Sequence, residues 1–153
     1  MGMTASRDPK MTTKIMSAIH SQDTKPEMLI RKALFRDGFR YRVHYKALPG
    51  KPDVVFTRVK LAVFIDGDFW HGHNWAIRNY GSLEDELQRY SPFWQEKIRR
   101  NVERDRATTE SLESMGWVVM RLWESDIEKD LEGNLLLIES CYLKLDEVGR
   151  DSK

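Results

Sequence analysis

Two short apolar runs, Asp53–Thr57 (DVVFT) and Leu61–Asp66 (LAVFID), separated only by Arg58–Lys60, constrain this chain more than any other feature. Runs of this length, β-branched and apolar at successive positions, read as buried strands. The short connection makes them an antiparallel hairpin. Asp53 opens the first run and Asp66 closes the second. In antiparallel neighbours the start of one strand lies beside the end of the next, so both carboxylates reach one end of the sheet. Buried acids without partners are costly. Mg²⁺, which takes oxygen ligands, would relieve that cost, as would an Arg or Lys partner. The plainer reading is a pair of solvated acids in turns.

The rest of the chain is mostly helical. Residues 10–20 carry Met11, Ile15, Ala18 and Ile19 at helical spacing. A second helix is expected from Thr24 to Asp37, with Thr24 and Glu27 at capping-box spacing, Pro26 in the first turn and Gly38 as its stop. Its inward face reads as Met28, Leu29, Ala33, Leu34 and Phe35, and residues 39–44 alternate like a half-buried strand. Gly67 to Tyr80 is aromatic and polar without a period, an ordered loop. A small helix over 82–90 precedes a long one from Ser91-Pro92 to Met115, with Phe93, Ile98, Val102 and Leu112 inward. A strand at Trp117–Trp123, with both tryptophans in the core, and an amphipathic helix over 131–145 complete the chain. The order α-α-β-β-β-α-β-α is that of an α/β fold, a central mixed β-sheet flanked by α-helices.

At 153 residues the chain is expected to be one domain, residues 1–153. Its 10% aromatic content argues against disorder, even with 32% charged residues. The single Cys141 excludes an intramolecular disulfide framework and a cysteine-built zinc site, and reads as a small buried residue. No apolar run is of membrane-spanning length, and MGMTASRDPK has no stretch of signal-peptide type, so a cytoplasmic protein is expected. The net charge of +1 hides an asymmetry: residues 1–46 hold ten Lys/Arg against four acids, and the remainder is net acidic. A basic N-terminal third suits a polyanion such as nucleic acid, the bland alternative being a solvated face.

The loop after Asp66 adds Asp68, His71 and His73. An imidazole close to a metal-bound water can act as general base near neutrality; His20 and His44 have no such company. The blocks KMTTKIMSAIHSQDTKPE, FRYRVHYKALPGKPDVVF, VFIDGDFWHGH, FWQEKIRRNVERD and LESMGWVVMRLWE follow one another over residues 10–125. In that order they resemble the very-short-patch-repair (Vsr) endonucleases, a branch of the PD-(D/E)xK restriction-endonuclease-like superfamily.

The resemblance implies Mg²⁺-dependent hydrolysis of one DNA strand, 5′ of the thymine in a T:G mismatch, by a monomer acting on double-stranded DNA during repair, at the nucleoid and in company with repair or DNA-processing proteins. It puts Asp53 at the central metal-binding position, with the main chain of Ile65 and the carboxylate of Asp66 as further ligands to one or two ions. Asp66 stands where the family has a histidine. His71 matches the histidine near the attacking water, and Glu27 matches an active-site glutamate, though the helix cap above also accounts for Glu27. The superfamily lysine is absent, because Asp68 holds its place. Phe69, Trp70 and Trp94 match residues that wedge into the duplex; core packing is the competing role for Phe69. Lys97, Asn101 and Arg104 share a helix face suited to phosphate contact, unless they serve as surface ion pairs. Lys10, Lys14 and Lys25 are further expected DNA contacts, with residues 1–20 as a basic DNA-binding segment. The family's structural zinc falls on Asp68, His73, Trp75 and Ser125, so no zinc is expected. The segment Ala76–Pro92 is longer than its family counterpart. Nicking of other distorted DNA such as hairpins or junctions, restriction-type cleavage, and a non-enzymatic DNA-binding accessory module are the alternatives.

Overall fold

A computed structural model of the chain describes residues 23–151. The expected helix over 10–20, with Lys10, Lys14 and His20, lies outside the described residues. In chain order the elements are α1 (Lys25–Arg36), β1 (Val54–Phe56), β2 (Leu61–Asp66), α2 (Asn74–Ile77), α3 (Leu83–Leu87), α4 (Pro92–Ser114), β3 (Val118–Trp123), α5 (Glu124–Lys129) and α6 (Leu131–Asp151). The sheet order is β1-β2-β3. β1 pairs with β2 antiparallel, Val54 opposite Val63, so the expected hairpin forms. β3 runs parallel to β2, with Asp66 opposite Trp123. A parallel pair needs a long crossover, and α2–α4 provide it. The sheet is therefore mixed and flanked by helices, as expected.

Every residue of β2 is buried because both of its faces are covered. Leu61, Val63 and Ile65 meet Ile30 and Leu34 of α1, Ile127 of α5, and Leu135 and Ile138 of α6. Ala62 and Phe64 face the other way, onto Leu112 of α4 and Leu48. Burying each such aliphatic or aromatic side chain contributes roughly 1.5–3 kcal/mol. This two-sided core fixes the end of β2 that carries Asp66. No helix among the described residues is long and apolar enough to cross a membrane.

Several expectations are corrected. Residues 39–44 do not form a strand; Arg42 alone bridges Val55 through a reciprocal backbone pair, and His44, at φ 52°, turns the chain away. The inward face of α1 is Ile30, Ala33 and Leu34, whereas Met28 and Phe35 are exposed, because the helix packs on the sheet along the i, i+3, i+4 row of Ile30. The capping box is absent. Thr24 gives its hydroxyl to Glu124 at 2.8 Å, a tertiary contact, and Glu27 accepts the N–H of Asp23 rather than that of Thr24, at 2.8 Å. Phe93 is 66% exposed rather than inward. Trp117, Trp123 and Cys141 are only half-buried, Trp117 and Cys141 at the margins of the core.

Candidate active site

The two carboxylates that end the hairpin lie on one cleft of about 460 Å³, lined also by Glu27, His71, Arg104, Asp105, Arg121 and Glu124. Asp53 sits just before β1, and its Oδ2 accepts the N–H of Ile65 at 2.6 Å. Burial pushes the Asp53 carboxyl up to about 8; the Glu27 carboxylate and then Asp66 add to that, against the Ile65 hydrogen bond. Glu27 is itself buried on α1, paired with Arg31 at 3.2 Å. Glu124, at the start of α5, is also raised, by burial and then, against the hydrogen bond from Thr24, by Glu27 and Asp68.

A carboxyl raised by burial, with other acids beside it, marks a place short of positive charge. Its donors are all oxygens, as Mg²⁺ requires. The residues around Asp53 therefore fit a hard divalent cation.

His71 projects from the loop after β2 and contacts Asp105 of α4 through Nδ1. Asp66 Oδ1 is 3.9 Å from the same nitrogen. Burial pushes the imidazole down, but the Asp105 hydrogen bond and the charges of Asp66 and Asp105 outweigh it, so His71 titrates above its ordinary value. One ligand atom from each of Asp66, His71 and Asp105 falls within 4.8 Å of the others. Arg121 of β3 stands over this group. Its Nη1 donates to both oxygens of Asp66, at 3.1 and 3.0 Å. Burial raises the Asp66 carboxyl and Asp105 adds to this, while His71 and Arg121 pull it back; the balance lies above the ordinary value.

The loop from Gly67 to His73 is tied down at both ends. Asp68 accepts from Ser125 N–H at 3.1 Å and Ser125 Oγ at 2.8 Å, and it pairs with His73 Nδ1 at 2.7 Å. The His73 ring stacks on Trp123 with centroids 4.0 Å apart. Three of the four positions expected to lack zinc thus form a hydrogen-bonded cluster, and the fourth, Trp75, gives its N–H to buried Glu86 at 2.7 Å. Gly72 lies at φ 71° with its Cα close to α4, where an added Cβ would come 3.0 Å from Val102. Only glycine suits both demands, and it lets His71 and His73 point to different clusters.

The expected aromatic wedge is a packed group. Trp70 is 4% exposed, with Phe69 and Trp94 edge-on at 5.5 Å and Lys97 Nζ 5.5 Å from its ring. Phe93, edge-on to Trp94 at 5.1 Å, is the ring that faces solvent. Asn101 is buried and occupied within the protein: it donates to the Trp70 carbonyl at 3.0 Å and accepts from Arg104 at 2.7 Å. Lys25, Lys97 and Arg104 are exposed, Arg104 beside the cleft.

Sequence reasoning missed Asp105, Arg121 and Glu124 as part of the site. Asp105 falls on the Ile98–Asn101–Leu112 row of α4, the buried side of the helix, so an acid on an inward row was the available signal. Arg121 interrupts an otherwise apolar strand and needed a partner. Glu124 carried no such signal, because only the parallel pairing of β3 brings it beside β2.

Among families, the model described as DNA mismatch endonuclease Vsr matches residues 5–77. The type II nicking enzyme V.HpaIIP of Haemophilus parainfluenzae is 41% identical over 134 residues, 87% of this chain and 92% of that protein. The type II nicking enzyme V.NmeAIP of Neisseria meningitidis is 44% identical over 114 residues, 74% of this chain and 77% of the relative. The DNA mismatch endonuclease Vsr of Escherichia coli is 36% identical over 117 residues, 76% of this chain and 71% of that enzyme.

Proposed function

The chain belongs to the Vsr family of DNA endonucleases, and from that premise we propose that it nicks one strand of mismatched duplex DNA, 5′ of the thymine of a T:G pair, as a Mg²⁺-dependent monomer. The observation that carries the reading is the cleft that gathers Asp53, Glu27 and Asp66 with His71, whose imidazole is held by Asp105. Asp53, beside the Ile65 main chain and Glu27, would hold the ion. When bound, a divalent ion supplies positive charge to the scissile phosphate and lowers the pKa of water beside it.

The chain's own residues account for the proton. Asp105 accepts Nδ1–H of His71, which leaves Nε2 unprotonated in the neutral ring and able to take a proton from the attacking water. The carboxylate also stabilises the imidazolium that results, as in other His–Asp pairs. In-line attack forms the new P–O bond, breaks the bond to the 3′ oxygen and leaves a 5′ phosphate. One such site per monomer cuts one strand. Phe93, with Trp94 behind it, is the ring group available to a base step at a weak pair, where unstacking is least costly. Exposed Lys97 and Arg104 suit phosphates.

End-labelled matched, T:G-mismatched and hairpin duplexes, incubated with Mg²⁺ or EDTA, test the reading. A nick at T:G that needs Mg²⁺ and disappears in Asp53→Ala is expected. Equal cutting of matched or hairpin DNA would remove the mismatch assignment and leave the nuclease.

A further inference from the structure

We propose that Arg121 is a resident cation that takes the place of a second divalent ion, so that the site binds one ion, at Asp53, and Asp66 is a positioning carboxylate rather than a ligand. The inference rests on the metal-dependent nuclease reading and concerns which residues hold the ion. Asp66, His71 and Asp105 have the spacing of a metal site, yet their charge is already answered. Both Asp66 oxygens bind one guanidinium nitrogen, and Asp105 Oδ1 lies 3.9 Å from it.

Arg121 is also fixed by contacts that do not involve Asp66. Its Nε donates to Thr109 Oγ1 at 2.9 Å and its Nη2 to the Asp105 carbonyl at 3.2 Å. Its guanidinium carbon lies 4.0 Å from the centre of the Phe64 ring. A planar, permanently charged fork bound on three sides is not a side chain that swings out to admit an ion. Among the described residues Asp53 forms no ion pair, and Arg31, which pairs with its neighbour Glu27, is also bound to Asp23. The two acids of the hairpin thus have different partners: Asp66 an arginine, Asp53 an ion. Through Arg121, which bridges β3 to α4, Asp66 sets the distance between the sheet and the helix that carries Asp105, and hence the seat of His71.

Mn²⁺ binding to the full chain without DNA, followed by titration calorimetry and by the paramagnetic resonance of free Mn²⁺, tests the assignment. Wild type is expected to bind one Mn²⁺, lost in Asp53→Asn. Arg121→Met is expected to bind two, as the Asp66–His71–Asp105 group becomes available, while Arg121→Lys stays at one. The charge-neutral double variant Arg121→Met/Asp66→Asn is expected to keep the single site within threefold of wild-type affinity. Weakening by more than threefold in a folded double variant, or a wild-type stoichiometry of two, overturns the inference and leaves the nuclease reading intact. The wild-type stoichiometry decides even if the Arg121 variants do not fold. Absence of both Mn²⁺ binding and metal-dependent cleavage in wild type overturns the nuclease reading and this inference together.

Discussion

Replacing Asp53 by Asn is expected to stabilise the metal-free protein while abolishing its cleavage. The Asp53 carboxyl rises from 3.8 to about 8 because it is buried beside Glu27 and Asp66. A group whose folded-state value is raised contributes stability that is whole below the unfolded value, and that stability is lost as pH climbs through the folded one. The wild type therefore loses stability from Asp53 between about pH 4 and pH 8. Roughly four units at about 1.4 kcal/mol each set a ceiling of about 6 kcal/mol. Relaxation of the neighbouring acids brings the expected difference to ~2–4 kcal/mol at pH 8. Asn keeps an oxygen to accept the Ile65 N–H and carries no charge to bury. In EDTA the variant should unfold roughly 5–10 °C above wild type at pH 8, with the gap closing towards pH 4. Saturating Mg²⁺ should stabilise wild type by about 2–3 kcal/mol at 100-fold excess over its dissociation constant and leave the variant unmoved. Calorimetric melting from pH 4 to 8, with and without Mg²⁺, measures all of these. A variant no more stable than wild type at pH 8, or a gap that does not change with pH, would refute the reasoning.

Two further outcomes follow from the loop and its histidine. Asp105→Asn removes the main influence that raises His71, so the acid limb of the kcat/KM profile should move to lower pH and kcat should fall roughly 10²–10⁴-fold; an unmoved limb would exclude His71 as the base that limits the rate. Asp68→Ala strips the partners from His73 Nδ1, Ser125 N–H and Ser125 Oγ, at a cost of ~2–4 kcal/mol. A loss below about 1 kcal/mol in denaturant unfolding would show that the ring stack on Trp123 holds the loop by itself.

The hairpin and the acids at its ends were legible in the sequence because they depend on local facts: unbroken apolar runs, a short connection and antiparallel geometry that brings Asp53 and Asp66 to one edge. The blocks around them sufficed for the family, and the long helix α4 fell where its Pro and Gly signals placed it. What the sequence could not determine was which side chain answers which charge. Glu27 and Thr24 had the spacing of a local cap, but Thr24 turns to the distant Glu124 and Glu27 takes the neighbouring Asp23 N–H instead. Asn101 and Trp70 were expected as residues for DNA, and nothing in the sequence signalled that Asn101 would also donate to the Trp70 carbonyl inside the protein. Arg121 reaches Asp66 across 55 positions only because β3 lies parallel to β2 with Phe64 opposite it. Local pattern specifies elements through the chain's own periodicity. Pairing between distant charges depends on strand direction and helix placement, which the whole core decides together.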